Sequence, residues 1–198
     1  YRDISSNIPF IAGIKGAGFI IPEEERNEED KKLFKFSDEL VDELLAADTI
    51  VISTPIYNFG PPAAAKAWFD MVARAGRTFA YEPTGPKGLI EGNKKVYLIV
   101  SSGGVPIDSP VDFCTPWFKQ ALNFLGITDI KVIDASQLNK SDENLKKAFL
   151  RFSSLLFNWD ASITLMSVIP KKFNACLNHG VQKSTGLSIG TPPEDTIK

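Results

Sequence analysis

Histidine is nearly missing from this sequence and cysteine is scarce, and each shortage removes a class of chemistry. His179 is the only histidine in 198 residues, so no His/Cys cluster exists to build a zinc site. No Ser-His-Asp triad can form unless His179 supplies its base, and that residue sits in a polar stretch where a solvated surface position is the ordinary reading. The two cysteines, Cys114 and Cys176, lie far apart in unlike contexts, which fits a reducing, cytoplasmic setting better than a disulfide-stapled secreted domain. A charge excess of one sign is also lacking: 22 basic residues against 24 acidic ones leave a net charge of −2, no electrostatic case for nucleic acid or an anionic membrane as main partner. Long apolar runs are absent, since the most hydrophobic late stretch, Phe149 to Pro170, is broken by Arg151, Asn158 and Asp160. The start at Tyr1 shows neither an initiator Met nor a signal-peptide pattern and reads either as the interior of a longer gene product or as a start that was lost or misassigned. There is no Walker-type phosphate loop, and the cluster Gly13 to Gly18 follows no clear strand and lacks dinucleotide-binding spacing.

What is present is an ordinary globular composition, 43% hydrophobic and 23% charged, with one domain as the natural expectation. An acidic opening, Glu23 to Asp30, leads into an amphipathic helix on which Leu33, Phe36, Leu40 and Leu44 recur at steps of three and four, running to about Ala47. Thr49 to Ser53 is a short β-branched apolar run, as expected of a parallel strand covered on both faces. A turn follows, then a helix that begins at Pro61-Pro62 and closes near Gly76. Arg77 to Gly92 is rich in Pro and Gly and reads as a surface loop. Val96 to Ser101 is the next buried strand, a helix spans about Val111 to Leu125, Ile130 to Asp134 is a third strand, and Ser141 caps a further helix carrying Leu145, Phe149, Phe152 and Leu156. This alternation is that of an α/β doubly wound parallel sheet, in which ligands bind outside the carboxyl ends of the strands. From Val168 the chain turns polar and reads as a tail.

Two segments stand at such strand exits, Pro55 to Gly60 and Ser101 to Gly104. Tyr57 and Phe59 could flank a flat ring, Asn58 offers an amide donor and acceptor, and Gly103-Gly104 lets backbone approach a ligand closely. The same residues serve equally well in plain turns, so chemistry alone leaves both readings open.

Five blocks, in order and spacing, narrow the choice: Ser53 to Phe59 (STPIYNF), Lys66 to Tyr81 (KAWFDMVARAGRTFAY), Gly85 to Leu89 (GPKGL), Ser101 to Val105 (SSGGV) and Phe124 to Ile130 (FLGITDI). Over roughly residues 1 to 157 the chain resembles the FMN-dependent NADH-azoreductase family, flavodoxin-like NAD(P)H quinone and azo reductases. The resemblance implies FMN as cofactor, NADH or NADPH as donor, a homodimer, and ping-pong hydride transfer to an azo or quinone substrate. It implies that Pro55, Ile56, Tyr57, Asn58 and Phe59 wrap the flavin ring and that Ser101, Ser102, Gly103 and Gly104 form the second flavin loop. Phe79, Tyr81 and Phe124 match aromatics that line the substrate face, partly from the partner subunit. No side chain is implied as a covalent catalyst, because the flavin carries the electrons.

Ser102 departs from family members with Arg there, and Pro106 from those with His, which bears on substrate preference. The family also begins with a strand, a Ser-rich phosphate-binding loop and a helix, whereas this chain enters at Tyr1 to Ile4, in the last part of the second strand. In the order 2-1-3-4-5 the first strand is central, so its loss is expected to leave Thr49 to Ser53 as an unpaired edge, capped by another chain or by the N-terminal segment. Weakened FMN affinity is expected with it, because phosphate contacts are charge-assisted. The domain reading is therefore residues 1–157 as an N-terminally truncated flavodoxin-like domain and 158–198 as a divergent tail. The competing readings are an inactive truncated paralogue that binds or heterodimerises, and a flavodoxin-like electron carrier.

Overall fold

The computed structural model describes residues 2–5, 7–11, 21, 23–136 and the backbone of 163–167. A five-stranded parallel sheet runs in the order β1 (Arg2–Asp3), β7 (Ile163–Ser167), β2 (Thr49–Pro55), β5 (Lys95–Ser101), β6 (Asp129–Asp134). All seven residues of β2 are buried, as are Val96 to Val100 of β5, which is why both read as uninterrupted apolar runs rather than alternating ones.

Among the described residues three α-helices cover the sheet: α1 (Glu28–Ala46), α2 (Ala63–Val72) and α3 (Cys114–Phe124). At the start of α1, Asn27 accepts from the Asp30 amide at 2.8 Å while the Asp30 carboxylate accepts from the Asn27 amide at 3.1 Å. This reciprocal cap satisfies two N-terminal donors at once. At the other end Lys94 Nζ donates to the carbonyls of Leu45 and Ala47 at 2.7 and 2.6 Å. Between these caps α1 buries Phe34, Ser37, Leu40, Val41 and Leu44. The core they enter also holds Ile50 and Ile52 of β2, Trp68, Met71 and Val72 of α2, Val96, Leu98 and Val100 of β5, and Phe118 and Leu122 of α3.

Arg74 explains part of the Lys66 to Tyr81 block. Its buried guanidinium lies over the Phe34 ring at 4.7 Å and donates to Ser37 Oγ at 2.8 Å and to Asp38 Oδ1 at 2.9 Å. Arg77 adds bonds to Asp38 and Asp42 at 2.8 and 2.6 Å. The turn after α2 is thereby fastened to the middle of α1, a structural task for residues whose pattern resembles a family signature.

Three expectations are corrected. Residues 77–92 are not all loop: β3 (Phe79–Glu82) and β4 (Gly85–Gly88) form an antiparallel hairpin packed on the end of α3. α2 stops at Val72, four residues before Gly76. Most consequentially, β2 is no free edge, and neither another chain nor the N-terminal segment caps it. Strand β7, from within the stretch read as a tail, pairs with β2 in parallel, Thr49 opposite Ile163 through Ser53 opposite Ser167, and with β1 on its other side. The Gly13 to Gly18 cluster, the helix expected after Ser141, and Cys176 and His179 lie outside the described residues.

Candidate functional site

Because β2 and β5 are parallel and in register, Pro55 opposite Ser101, their exits leave the sheet side by side. The Ile56 amide donates to the Ser101 carbonyl at 2.8 Å and extends the ladder one residue past β2. The chain then folds back at once: Tyr57 and Gly60 exchange N–H···O bonds in both directions, each 3.0 Å, enclosing Asn58 and Phe59. Both enclosed residues are left-handed, with φ of 48° and 72°. Two positive φ angles in a two-residue loop are the requirement of the tight hairpin turn in which Asn is favoured. For Phe59 the conformation costs roughly 1–2 kcal/mol, strain of the kind that gathers at ligand clamps.

The turn presents Tyr57, Asn58 and Phe59 outward, with both rings 54% exposed. Beside it the second loop is closed by Ser102, whose Oγ accepts from the amides of Gly104 at 3.2 Å and Val105 at 2.7 Å. Gly103 and Gly104 are exposed, and a Cβ built at either would meet nothing within 4 Å. The amides of Asn58, Phe59 and Gly103 donate to no acceptor among the described residues. The rim therefore offers two exposed rings, an amide side chain, unoccupied backbone donors and a backbone surface bare of side chains. That inventory suits a planar heteroaromatic group with a polar edge.

A third segment joins the rim. The Phe113 amide donates to the Phe59 carbonyl at 2.9 Å, and Phe113 and Val111 are exposed next to the turn. Behind them Asp112 is buried. Its Oδ1 accepts from the amides of Cys114 and Thr115, each at 3.0 Å, and its Oδ2 from Asp108 at 2.9 Å. Burial would push the carboxyl up, but the hydrogen bonds from Thr115, Asp108 and Cys114 outweigh it and hold the group below the usual carboxylate range. Cys114, fully buried with Sγ 3.9 Å from the Pro55 carbonyl, moves the opposite way: burial, reinforced by the Asp112 charge, pushes the thiol up to about 12.

The aromatics expected to line the substrate do not reach this rim within one chain. Phe79 is 2% exposed, its ring 4.7 Å from Phe124 and 5.3 Å from Tyr81. This places Phe79 in the core. Tyr81 is exposed and Phe124 partly buried, but both sit at the far end of α3, whose eleven residues separate Phe124 from the rim by about 16 Å. Asp112 and Phe113 were missed in turn, because the helix was expected to begin at Val111. An Asp just ahead of a helix is a capping signal that could have found the first of them. Among the described residues no group of three or more His, Cys, Asp or Glu is placed to hold a metal ion, and no helix is long and apolar enough to cross a membrane.

A model of the flavodoxin-like fold matches residues 1–156. The FMN-dependent NADH:quinone oxidoreductase of Pelagibacter ubique is 43% identical over 157 residues, 79% of this chain and 81% of its own length. The protein of the same description from Erythrobacter litoralis is 52% identical over 133 residues, 67% of each chain. The chain belongs to the flavodoxin-like family of FMN-dependent NADH:quinone oxidoreductases. Among solved structures, an FMN-dependent NADH-azoreductase from Bacillus anthracis in complex with FMN superposes with a TM-score of 0.65 at 26% identity, covering 74% of this chain and 73% of that one. The family's parallel order 2-1-3-4-5 is kept here with one exchange: β7 stands where the family's first strand is expected.

Proposed function

We propose that this chain is an oxidoreductase that binds FMN at the adjoining exits of β2 and β5 and passes reducing equivalents from NADH or NADPH to a quinone or azo compound. One observation carries the reading. The Tyr57 to Gly60 turn and the Ser101 to Gly104 loop are joined at Ile56 and Ser101, with the rings outward and the glycines open. When bound, FMN would supply the redox chemistry, hydride transfer between a nicotinamide donor and the acceptor in a ping-pong cycle. The protein's own part is geometric and electrostatic. Tyr57 and Phe59 would bound a flat slot for the ring, and Asn58 with the amides of Phe59 and Gly103 would hold its polar edge as fixed donors that stabilise negative charge there. Pro55, Ile56 and Ser101 belong to the rigid strand ends that fix the spacing of the two loops.

Tyr81 and Phe124 come into this reading only through a second copy. A homodimer with a two-fold axis brings one protomer's Tyr81 and Phe124 to the partner's rim, since within a chain both lie at the end of α3 opposite that rim. The exposed Tyr57, Phe59, Val111 and Phe113 give that contact apolar surface.

The test is direct. Purified protein titrated with FMN should quench flavin fluorescence to a one-to-one endpoint, and the loaded protein should oxidise NADH when menadione is added. Replacing Tyr57 with Ala should weaken FMN binding by about 0.5–1.5 kcal/mol, the worth of a lost ring contact. Absence of both FMN uptake and NADH-dependent menadione reduction would refute the reading, and inert protein that co-purifies with a relative of the same family would favour a binding module instead.

A further inference from the structure

We propose that Asp112 is a positioning residue for the Tyr57 to Gly60 turn: by fixing the backbone on both sides of Phe113, it holds the Phe113 amide where it grips the Phe59 carbonyl. The consequence for cofactor binding rests on the FMN reading above; the positioning itself does not.

The argument begins with strain. Phe59 is an L-residue with a Cβ in the left-handed region, φ 72°, directly after Asn58 at φ 48°. Such a residue persists only where its surroundings over-determine it. Inside the turn, the Tyr57–Gly60 pair supplies two backbone bonds. The one further backbone bond to Phe59 among the described residues comes from Phe113, at 2.9 Å. Phe113 is itself the residue before α3, exposed and with no capping side chain of its own. What fixes it is its neighbour. Asp112 Oδ1 binds the first two amides of α3, those of Cys114 and Thr115, while Oδ2 reaches back to the amide of Asp108, another left-handed residue at φ 59°. One buried carboxylate thus ties the 108–112 loop to the helix start, with Phe113 between its anchors.

The two oxygens have separable duties. Asp112→Asn can keep the Oδ1 bonds to α3 but puts an NH2 where Asp108 needs an acceptor, and Asp112→Ser keeps a short cap yet cannot reach Asp108. Thr78→Val is the control. It removes a buried hydroxyl that accepts from Arg74 N at 2.8 Å and donates to the Val72 carbonyl at 2.6 Å, in the turn between α2 and β3 and away from the rim.

Amide exchange of the flavin-free protein, read residue by residue, decides the matter. Asp112→Asn should speed exchange at Gly60 and Phe113 by about tenfold or more, the size expected for losing a bond to a charged acceptor. Thr78→Val, even with an equal loss of thermal stability, should leave Gly60 unchanged. In the unaltered protein the Gly60 and Cys114 amides should open together, with one shared dependence on denaturant, a measurement that needs no variant to fold. FMN affinity of Asp112→Asn and Asp112→Ser should fall by about tenfold or more while Thr78→Val binds as the parent does. Unchanged Gly60 exchange in Asp112→Asn, an equal rise in Thr78→Val, or separate opening of Gly60 and Cys114 would each overturn the proposal. If the parent protein takes up no FMN, the cofactor reading falls while the exchange pattern still decides the role of Asp112.

Discussion

Cys114 and Asp112 are two residues apart and share one pocket of backbone, yet their protons respond oppositely, because one group is surrounded by donors and the other is not. The carboxylate collects amide hydrogens and is held ionised. The thiol, buried under the Pro55 carbonyl and beside that same negative charge, is pushed up to about 12 and stays neutral. A neutral, inaccessible thiol is a poor nucleophile. Cys114 is therefore a packing residue beneath the rim, and no part of the proposed hydride chemistry passes through it. In protein carrying Cys176→Ser, a thiol reagent at pH 8 should modify Cys114 on the order of 100-fold more slowly in the native state than in urea. Rapid native labelling would show that the start of α3 opens on its own and that the rim lacks the rigidity described here.

At the scale of elements, what was legible in the sequence followed from burial on two faces. Thr49 to Ser53 and Val96 to Ser101 could be read as strands because nothing polar interrupts them, and the structure buries them on both sides. The helices α1 and α2 were equally plain, the first from its acidic opening and its apolar spacing. The β3–β4 hairpin was not legible, since Gly85, Pro86 and Gly88 are residues a strand ordinarily avoids. Their reason is tertiary. A Cβ at Gly88 would stand 2.2 Å from the Gly126 nitrogen and 2.3 Å from the Leu125 carbonyl carbon, so a strand passes this close to the end of α3 only with glycine at the crossing. Gly88→Ala should lower stability by about 1–3 kcal/mol, since backbone has to move apart, and should loosen the hairpin first. Amide protection between Phe79 and Gly88 should fall while that of Gly60 holds, because the crossing lies at the opposite end of α3 from the rim. An alanine variant as stable as its parent would mean that this close approach is not part of the native packing.

For the whole molecule, the order of strands decides how much of the family's architecture this chain can rebuild, and here the sequence misled in an instructive way. The loops of the site were visible because short motifs mark them, while the place beside β2 was expected to be capped by another chain or by the N-terminal segment, because a strand's place in a sheet is a non-local property that no short pattern encodes. Ile163 to Ser167 has the composition of a strand but is set in a polar surround, and only pairing on both sides shows its place between β1 and β2. A parallel strand in that slot removes the exposed edge of β2, which would otherwise invite pairing with other chains. Proline at Leu165 is the sharpest probe, since it deletes one ladder donor in a strand paired on both sides and tolerates no central position. Leu165→Pro should cost about 1–3 kcal/mol for the ladder partner left unpaired, lower the midpoint of thermal unfolding, and make the sample self-associate through β2 in light scattering. The rim should suffer too, because β2 carries the Tyr57 to Gly60 turn at its exit and holds its register against β5 only while its other side is supported. If Leu165→Pro unfolds at the parent's temperature and stays monodisperse, β7 is not what completes the sheet, and the slot beside β2 must be filled in solution by some other strand.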